Sequence, residues 1–301
     1  MTKQQVLILL AFATTYFVWG STYLVNYWAI DSLPPFGMTG VRFTLAGTLL
    51  WGIAWLRGDR TPLTARQWSN SVLLGVLFLS LGVGVIVWAQ QWVDTSMAAL
   101  LVSFEPLLVL LLVWAVAGER PPGRALVGVA LGVLGMGVLV GQPDLIATPE
   151  SVVALSVVSI SLIAWSVGLV LKARLDTGES NLRSTAAQMI GGGVVAGAFS
   201  LLIGEWNGWS ADQLSWLSIL SISYLMIVGG IIAFSAFNFL IKAVGPSKAS
   251  TNTYVNPVVA VALGAAFNGE IITTQSLLAG ALLLAGVYFI NSAKTAAAPD
   301  N

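Results

Sequence analysis

The sequence predicts an all-α integral membrane protein with ten transmembrane helices, arranged as two inverted five-helix repeats. Three observations predict this fold class: the hydropathy of the chain, the distribution of its cations and an internal repeat. Of 301 residues, 57% are hydrophobic and 9% are charged, and the mean hydropathy is +0.87. A soluble domain of this length needs a far more charged surface, so a water-soluble fold is excluded.

Ten apolar segments are long enough to cross a bilayer, which takes about 20 mostly apolar residues in a helix. Charged residues, Pro and Gly separate them. The predicted segments are 5–29, 35–56, 68–91, 96–117, 123–141, 150–172, 182–203, 214–242, 247–268 and 272–292. The first follows Lys3 as the apolar part of a signal peptide does, but no small-residue cleavage site interrupts it. We therefore expect a retained helix.

The cations divide the loops into two faces, which tests the number of spans independently. With ten spans, both termini lie on one face, and all thirteen Lys and Arg except Arg42 fall on that face. The loops of the other face carry Asp and Glu instead. Because cytoplasmic loops are enriched in Lys and Arg, we expect both termini in the cytoplasm, in a bacterial inner membrane.

An internal repeat supports the same fold. The segment 103–107 (SFEPL) resembles 254–258 (YVNPV) at a shift of 151 residues, and Trp19 matches Trp165 at a shift of 146. The predicted repeats are 1–146 and 147–301. Each holds five helices, an odd number, so the second repeat enters the membrane from the opposite side. Inverted repeats are typical of secondary transporters, whose solute site lies near the midplane where the repeats meet.

Composition excludes most enzyme classes. The chain has no Cys and no His, which removes disulfides, thiolate nucleophiles, most zinc sites and the usual base of a serine nucleophile. We find no phosphate-binding, dinucleotide-binding or zinc-protease motif, and the balanced charge disfavours nucleic acid as a partner. We expect no enzyme, no cofactor and no metal. The expected partners are the lipid bilayer and a small-molecule substrate.

Two charged residues lie deep in the predicted spans. At 1.5 Å per residue, Arg42 lies about 12 Å and Glu105 about 15 Å from the outer surface. A charge near the bilayer centre costs at least about 2.5 kcal/mol, so each group needs a wet cavity or an opposite charge. Arg42 could contact solute or form a structural ion pair. Glu105 could exchange a proton as the cavity opens to each side, or could pair with Arg42.

Pro106 and Pro257 each remove a backbone donor within a predicted span, which predicts kinks in the fourth and ninth helices. We expect the two prolines to face each other across the central cavity; the alternative is a pair of lipid-facing kinks. Asn256 then occupies in the second repeat the position that Glu105 has in the first, so the site is polar but asymmetric.

Further candidates for solute binding are the aromatic and polar side chains predicted to lie on the inner helices. Most Trp anchor at the membrane interface, and a single polar side chain more often bonds between helices than binds a ligand. The candidates are Trp19, Trp88, Gln91, Trp165, Gln188, Tyr224, Asn238, Asn252, Tyr254 and Asn256. Glycines spaced by four in the fifth helix, including Gly128 and Gly132, allow close packing within a monomer or in a weak homodimer.

Several short motifs, taken in their order along the chain, resemble the EamA-type drug/metabolite transporter superfamily over essentially the whole sequence. They are Trp19-Gly20-Ser21-Thr22, Leu33-Pro34-Pro35, Arg42-Phe43, Leu45-Ala46-Gly47, Glu105-Pro106, Gly118-Glu119, Asn256-Pro257 and Gly269-Glu270. The resemblance implies an exporter or exchanger of metabolites, with members that handle amino acids, purines or drugs. It also implies a central cavity lined by helices 1 to 4 and 6 to 9. Gln188 stands where the first repeat has Arg42, and the paired cations of phosphate-sugar exchangers are missing, so multiply anionic solutes are not expected.

We therefore expect alternating-access transport of a small neutral or zwitterionic metabolite, amino acids foremost, with proton coupling through Glu105 as an open question. Multidrug efflux and a passive facilitator or pore are the alternatives within transport. A membrane-embedded enzyme acting on lipid is the alternative from another class, and it would need a nucleophile or metal site at an interface.

Overall fold

The computed structural model describes residues 2–118, 121–141, 148–245, 249 and 252–292, without the side chains of residues 113, 116, 117, 254 and 291. All regular structure in these ranges is helical. The transmembrane helices are α1 (Lys3–Ile30), α2 (Pro35–Leu56), α3 (Ala65–Ala89), α4a (Thr95–Val102), α4b (Glu105–Ala117), α5 (Gly123–Val140), α6 (Pro149–Lys172), α7 (Asn181–Leu202), α8 (Trp216–Val244), α9 (Asn252–Phe267) and α10 (Thr274–Ser292).

The predicted fold class is confirmed, with α4a and α4b forming the fourth span. Seven spans in the described residues meet the length and hydropathy of a membrane crossing, and α9 and α10 contain shorter apolar helices. The largest shift of a described end is three residues, from 68 as predicted to Ala65. The predicted start of α9 at 247 and the predicted division at 146/147 fall outside the described residues, and that division stays a prediction.

Local signals explain where the helices start. Thr2 and Thr64 form capping boxes with Gln5 and Gln67 at the starts of α1 and α3, which satisfies backbone donors that a helix start leaves free. Pro35 occupies the first turn of α2, where its missing N–H costs no helical hydrogen bond.

The outer surface of the bundle is apolar and its interior contains polar groups. Leu9, Leu10, Leu134 and Ile160 are exposed by 53% to 60%, as lipid-facing residues are in a structure without a bilayer. Arg42, Glu105 and other polar residues are buried instead. This inversion of the soluble pattern is what a membrane imposes, because intramembrane charges face the bundle interior or a wet cavity.

Glycine permits the closest helix contacts. A Cβ added to Gly40 of α2 would lie 2.5 Å from the Cα of Gly197 on α7, and one added to Gly128 would lie 2.5 Å from the carbonyl oxygen of Gly286 on α10. The glycine spacing in α5 therefore serves packing against α10 within the chain. The pair α5 and α10 lies at the edge of the bundle, and neither helix reaches the central cavity described below.

The helices cross the bundle alternately. We call the end where α1 begins the terminal face; it carries the loops 57–64 and 173–180. The opposite face carries the loops 31–34, 90–94, 203–215 and 268–273.

Helix 4 is broken where a proline kink was predicted. Residues 103 and 104 form a turn between α4a and α4b, and Pro106 lies in the first turn of α4b, where a missing backbone donor is tolerated. Helix 4 is thus interrupted near Pro106 by a turn and not by a bend within a continuous helix, and a hinge role for Pro106 stays a prediction. Pro257 does lie inside α9. That the two prolines face each other stays a prediction.

Two helices contain π-helical segments that the sequence analysis did not predict. They are Val76–Gly84 within α3 and Leu225–Phe234 within α8. Since α3 and α8 are the third helices of their repeats, the segments occupy equivalent places and support the duplication. A π segment widens a helix locally and is often found at functional sites.

Candidate functional site

A cavity of about 100 Å³ lies between the two repeats, and seven of the ten spans line it: α1, α2, α3, α4, α6, α8 and α9. Since about 10–15 Å³ is enough for one water, this volume holds several waters or a small solute group. Its polar lining residues are Thr22, Tyr23, Asn26, Arg42, Glu105, Ser161, Asn252 and Asn256. Helix α7, which the resemblance placed in the lining, contributes no residue to it within the described ranges.

Arg42 enters this cavity from α2 and is only 3% exposed. Its Nη1 donates to Oδ1 of Asn26 at 2.8 Å, and its guanidinium carbon lies 4.5 Å from the ring centroid of Phe43. Its Nε has no hydrogen-bond partner in the described part of the chain. A guanidinium presents five donors, so most of its capacity is left for an anionic group in the cavity.

Glu105 enters from α4 and is 4% exposed. It is the first residue after the break in helix 4, and ten residues separate it from the start of α4a, which places it about 15 Å deep. Its Oε1 has no hydrogen-bond partner among the described residues. The break therefore positions an unsatisfied carboxyl oxygen in the middle of the bundle.

Arg42 and Glu105 share one cavity without forming an ion pair. The single ion pair within 4 Å in the described ranges joins Arg183 and Asp59. The pairing that the sequence left open for Arg42 and Glu105 is thus not formed. The cavity presents one guanidinium and one carboxyl group separately, an arrangement that complements a solute with a carboxylate and an ammonium group.

Helix α1 supplies a polar stripe that sequence reasoning missed in part. Trp19, Thr22, Tyr23 and Asn26 line the cavity at spacings of three, four and seven residues, which is one face of an α-helix. Only Trp19 was a candidate. The other three could have been found by counting three, four and seven residues forward from Trp19. In α6, Ser161 lies four residues before Trp165 and therefore on the same helix face.

Both π-helical segments border the cavity. Leu79 and Val83 come from the segment of α3, and Leu225, Gly229 and Phe234 come from that of α8. The carbonyl oxygen of Gly229 accepts a hydrogen bond from Nε1 of Trp19 at 3.3 Å. The irregular backbone therefore lies where it faces a cavity, the place at which membranes tolerate it.

Aromatic rings border the cavity toward the terminal face. Trp19, Phe78, Trp165, Phe234 and Phe237 form an aromatic cluster, with centroid distances from 4.7 Å for Trp19 and Phe237 to 6.2 Å for Phe78 and Phe234. The pseudo-equivalent pair Trp19 and Trp165 meets edge to face at 5.7 Å. Such geometry is favourable for aromatic pairs, and it places large rings on this side of the cavity.

Toward the opposite face the buried residues form a smaller, aliphatic cluster. Ala29, Met38, Val87 and Leu225 form a separate buried cluster there. Only Leu225 of this cluster also lines the cavity. The two sides of the cavity thus differ in their side chains, with large rings toward the terminal face and aliphatic groups toward the opposite face.

Carboxylates join the repeats at both faces. At the terminal face, the Ser180 hydroxyl at the start of α7 donates to Asp59, and Nε of Arg183 lies 3.6 Å from the same carboxylate. The hydrogen bond from Ser180, followed by those from Thr61, holds the pKa of Asp59 below its usual range, and Arg183 adds to this. This contact ties the end of α2 to the start of α7.

At the opposite face the direction reverses, and the second repeat supplies the carboxylates. Glu205 accepts backbone hydrogen bonds from Phe36 and Gly37 at the start of α2, at 3.3 and 3.0 Å. Glu270 accepts from Thr95 and Ser96 at the start of α4a, at 3.0 and 2.9 Å. An anion at a helix N-terminus is favourable, so these contacts hold the opposite face together.

Several candidate residues lie outside the cavity lining and bond within the protein. Trp88 packs on Trp92, Gln91 donates to the Trp88 carbonyl, Gln188 donates to Ser184, Tyr224 pairs with Ser21, and Asn238 donates to the Phe234 carbonyl. The structure therefore brings together Trp19, Arg42, Glu105, Trp165, Asn252 and Asn256. The Tyr254 side chain lies outside what the structure describes. A solute role for any of these residues stays a proposal.

Neither proline lines the cavity, but the residue before each one does. Glu105 precedes Pro106 and Asn256 precedes Pro257. The repeated dipeptide thus places one polar side chain from each repeat on the cavity wall, with different chemistry in the two repeats.

Comparison with known proteins gives a consistent result. The model of the EamA-like transporter family matches the chain twice, over residues 6–141 and 152–292. The uncharacterized inner membrane transporter YedA of Escherichia coli (strain K12) is 34% identical over 281 residues, covering 93% of this chain and 89% of its own. The uncharacterized transporter YvbV of Bacillus subtilis (strain 168) is 25% identical, covering 94% of this chain and 90% of its own. A solved crystal structure superposes with a TM-score of 0.66 at 20% identity, covering 93% of this chain and 94% of that one. At that identity the match is evidence for the fold only.

Proposed function

Because the chain belongs to the EamA-like transporter family, and is therefore a membrane transporter and not an enzyme, we propose that it exports or exchanges small zwitterionic metabolites, amino acids foremost, by alternating access. We place it in a bacterial inner membrane with the terminal face toward the cytoplasm. The relative named as an inner membrane transporter and the distribution of Lys and Arg support this placement.

One observation carries the choice of solute: Arg42 and Glu105 border the same cavity and are not paired with each other. Arg42 binds the solute carboxylate with its free donors, since planar guanidinium groups recognise carboxylates in a bidentate geometry. Glu105 faces the ammonium group. Trp19, Trp165 and Phe234 supply the apolar wall against which an uncharged side chain packs.

The different groups at the two sides of the cavity support alternating access. The aromatic cluster and the Asp59 contacts close the terminal face, whereas the aliphatic cluster and the Glu205 and Glu270 contacts close the opposite face. Each carboxylate belongs to one repeat and binds a helix start of the other. Releasing one set while the other holds would open the cavity to one side at a time.

Transport assays in proteoliposomes test the site. We expect counterflow of at least one labelled amino acid, and we expect R42A and E105Q to lose at least tenfold in flux while inserting normally. The matched controls are R57Q and E179Q, which alter exposed residues of the same types outside the cavity. Normal flux in both R42A and E105Q would end the assignment of the site.

A panel of metabolites narrows the substrate. A solute that binds the folded protein raises its unfolding midpoint by mass action, so amino acids should shift wild type and leave R42A unchanged. Hydrophobic drugs that shift both proteins equally would point to multidrug efflux instead.

We further propose that Glu105 couples solute transport to the movement of protons. An unsatisfied carboxyl oxygen in the cavity can take up a proton from one side and release it to the other. Wild-type flux should respond to an imposed pH gradient, and the residual flux of E105Q should not. Wild-type flux that ignores both the pH gradient and a counter-solute would instead indicate a passive facilitator.

A further inference from the structure

A second cavity opens at the terminal face, away from the central one. It has a volume of about 320 Å³ and lies between the end of α6, the loop 173–180 and the last turn of α8. Two lysines, Lys172 and Lys242, border it. Neither lysine lines the central cavity, so this site is independent of the proposed transport function.

Lys172 is a buried cation without a described counter-ion. It is 6% exposed, and its Nζ lies 3.4 Å from the hydroxyl oxygens of Thr177 and Ser184. These are long contacts, at the outer limit of a hydrogen bond. No carboxylate among the described residues comes within 4 Å of it. A buried charge without a partner is costly, so the site is built to be completed by an anion.

Lys242 adds a second ammonium group to the same wall. Its Nζ donates to the backbone carbonyl groups of Gly178 and Glu179, both at 3.3 Å, and it is more exposed than Lys172. Two like charges at one cavity repel each other, and an anion between them relieves that repulsion. The second lysine therefore favours the same kind of ligand as the first.

The one described acid at this cavity does not serve as that anion. Asp176 borders the cavity, but its Oδ1 accepts from the Gly178 N–H at 2.9 Å and its Oδ2 accepts from Nε2 of Gln67 at 3.0 Å. It lies beyond 4 Å from either lysine nitrogen within the described ranges. Its carboxylate orders the loop and joins it to α3; its charge attracts the Lys242 ammonium group from beyond 4 Å, but it forms no described ion pair with either lysine.

We infer that this cavity binds a phosphate group, held by Lys172, Lys242 and the Thr177 hydroxyl. Both lysines lie at the ends of transmembrane helices, at the level of lipid headgroups, and basic pockets between such helices bind anionic headgroups. Leu175 and Ile241 provide apolar wall beside the charges. The phosphate of an anionic lipid and free inorganic phosphate share this chemistry, and the experiment separates them.

The experiment measures the unfolding midpoint of the full-length protein in nanodiscs. In one arm the discs contain phosphatidylcholine alone, and inorganic phosphate replaces chloride at constant ionic strength. In the other arm phosphatidylglycerol replaces part of the lipid in phosphate-free buffer. We expect wild type to gain stability with increasing ligand in at least one arm. K172M and K242Q should lose that gain, whereas the control R174Q, which alters an exposed arginine next to the cavity, should keep it.

The two arms identify the source. A gain in the first arm alone assigns the site to free phosphate, and a gain in the second alone assigns it to a lipid headgroup. No gain for wild type in either arm overturns the inference, as does an equal gain in K172M, K242Q and wild type. Should K172M fail to fold, K242Q decides, because Lys242 is partly exposed and contacts only loop carbonyl groups.

Discussion

Asn26 of α1 accepts a hydrogen bond from Arg42 of α2 at 2.8 Å, and both side chains are buried at the wall of the central cavity. Asn26 lies about two turns after Trp19 on the same face of α1. This face therefore contacts the aromatic cluster and also orients the guanidinium group of Arg42. We regard Asn26 as a positioning residue for the solute carboxylate.

Replacing Asn26 with Ala should weaken solute binding without abolishing insertion. A hydrogen bond to a charged group contributes about 1.5–3 kcal/mol, which corresponds to about a tenfold to hundredfold rise in the solute dissociation constant. Equilibrium binding or the KM of counterflow measures it. N207A, at an exposed residue of the 203–215 loop, is the control. An unchanged affinity in N26A would remove Asn26 from the site.

Loss of the Asp59 contacts should open the terminal face. The chain has no native Cys, so V83C introduces a single thiol into the cavity wall, where a membrane-impermeant maleimide can report access from either face. We expect D59A to increase labelling of V83C from the terminal face, because Ser180 loses its acceptor and Arg183 loses its ion-pair partner; the hydrogen bond from Arg183 Nε to the backbone carbonyl of residue 59 remains. Equal labelling with and without D59A would show that the aromatic cluster alone holds this face closed.

Acid should weaken the same contact. The hydrogen bond from Ser180 lowers the pKa of Asp59 below its unfolded value, which is about 3.9. The stabilisation is therefore present above that value and is lost as pH falls through the folded pKa. The ratio of V83C labelling from the terminal face in wild type to that in D59N should rise in this acidic window; the ratio is the readout because the reactive thiolate becomes scarcer in both proteins as pH falls.

Asp94 should show the reverse dependence. Burial, and secondly the charge of Glu270, raise the pKa of Asp94, while Glu270 already accepts from the two backbone donors at the start of α4a. A raised folded pKa contributes stability below the unfolded value of about 3.9, and that stability is lost as pH rises through the folded pKa. D94N should raise the unfolding midpoint at neutral pH and flatten its pH dependence above that value; a lower midpoint would contradict the repulsion.

Replacing each of two glycines of α2 with Ala should change the unfolding midpoint in different ways. G40A places a Cβ 2.5 Å from the Cα of Gly197, whereas nothing lies within 4 Å of a Cβ at Gly52. Overpacking costs about 1–3 kcal/mol, so G40A should lower the unfolding midpoint. G52A should leave it unchanged or raise it, because Ala is favoured over Gly in a helix by up to about 1 kcal/mol. A G40A midpoint equal to that of G52A would show that α2 and α7 can separate freely.

Hydropathy and the positions of charged residues were sufficient to predict the transmembrane helices and their orientation, because each signal comes from a short stretch of chain. Twenty apolar residues must leave water wherever they occur, and the Lys and Arg that flank them determine which loops share a face. The ten helices follow those segments closely. The depth of Arg42 and Glu105 follows equally well, since distance along a helix axis is a simple count of residues.

It was harder to predict which side chains of neighbouring helices contact each other and which face the cavity. Gln188 and Asn238 are polar residues on inner helices, as Asn252 is, yet they bond to Ser184 and the Phe234 carbonyl and stay outside the cavity. Pro106 marks the region where helix 4 is broken, but the exact place of the break and the π segments in α3 and α8 were not predicted from the residues.

The sequence by itself determined that this protein lies in a membrane, that its two halves are inverted copies, and which charges lie deep in it, because the cost of placing charge in lipid applies to any fold. Only the tertiary structure decided that Arg42 bonds to Asn26 and not to Glu105, and that large rings lie at one end of the cavity. Those outcomes depend on the rotation of each helix about its own axis, which the packing of neighbouring helices sets and one chain segment alone does not.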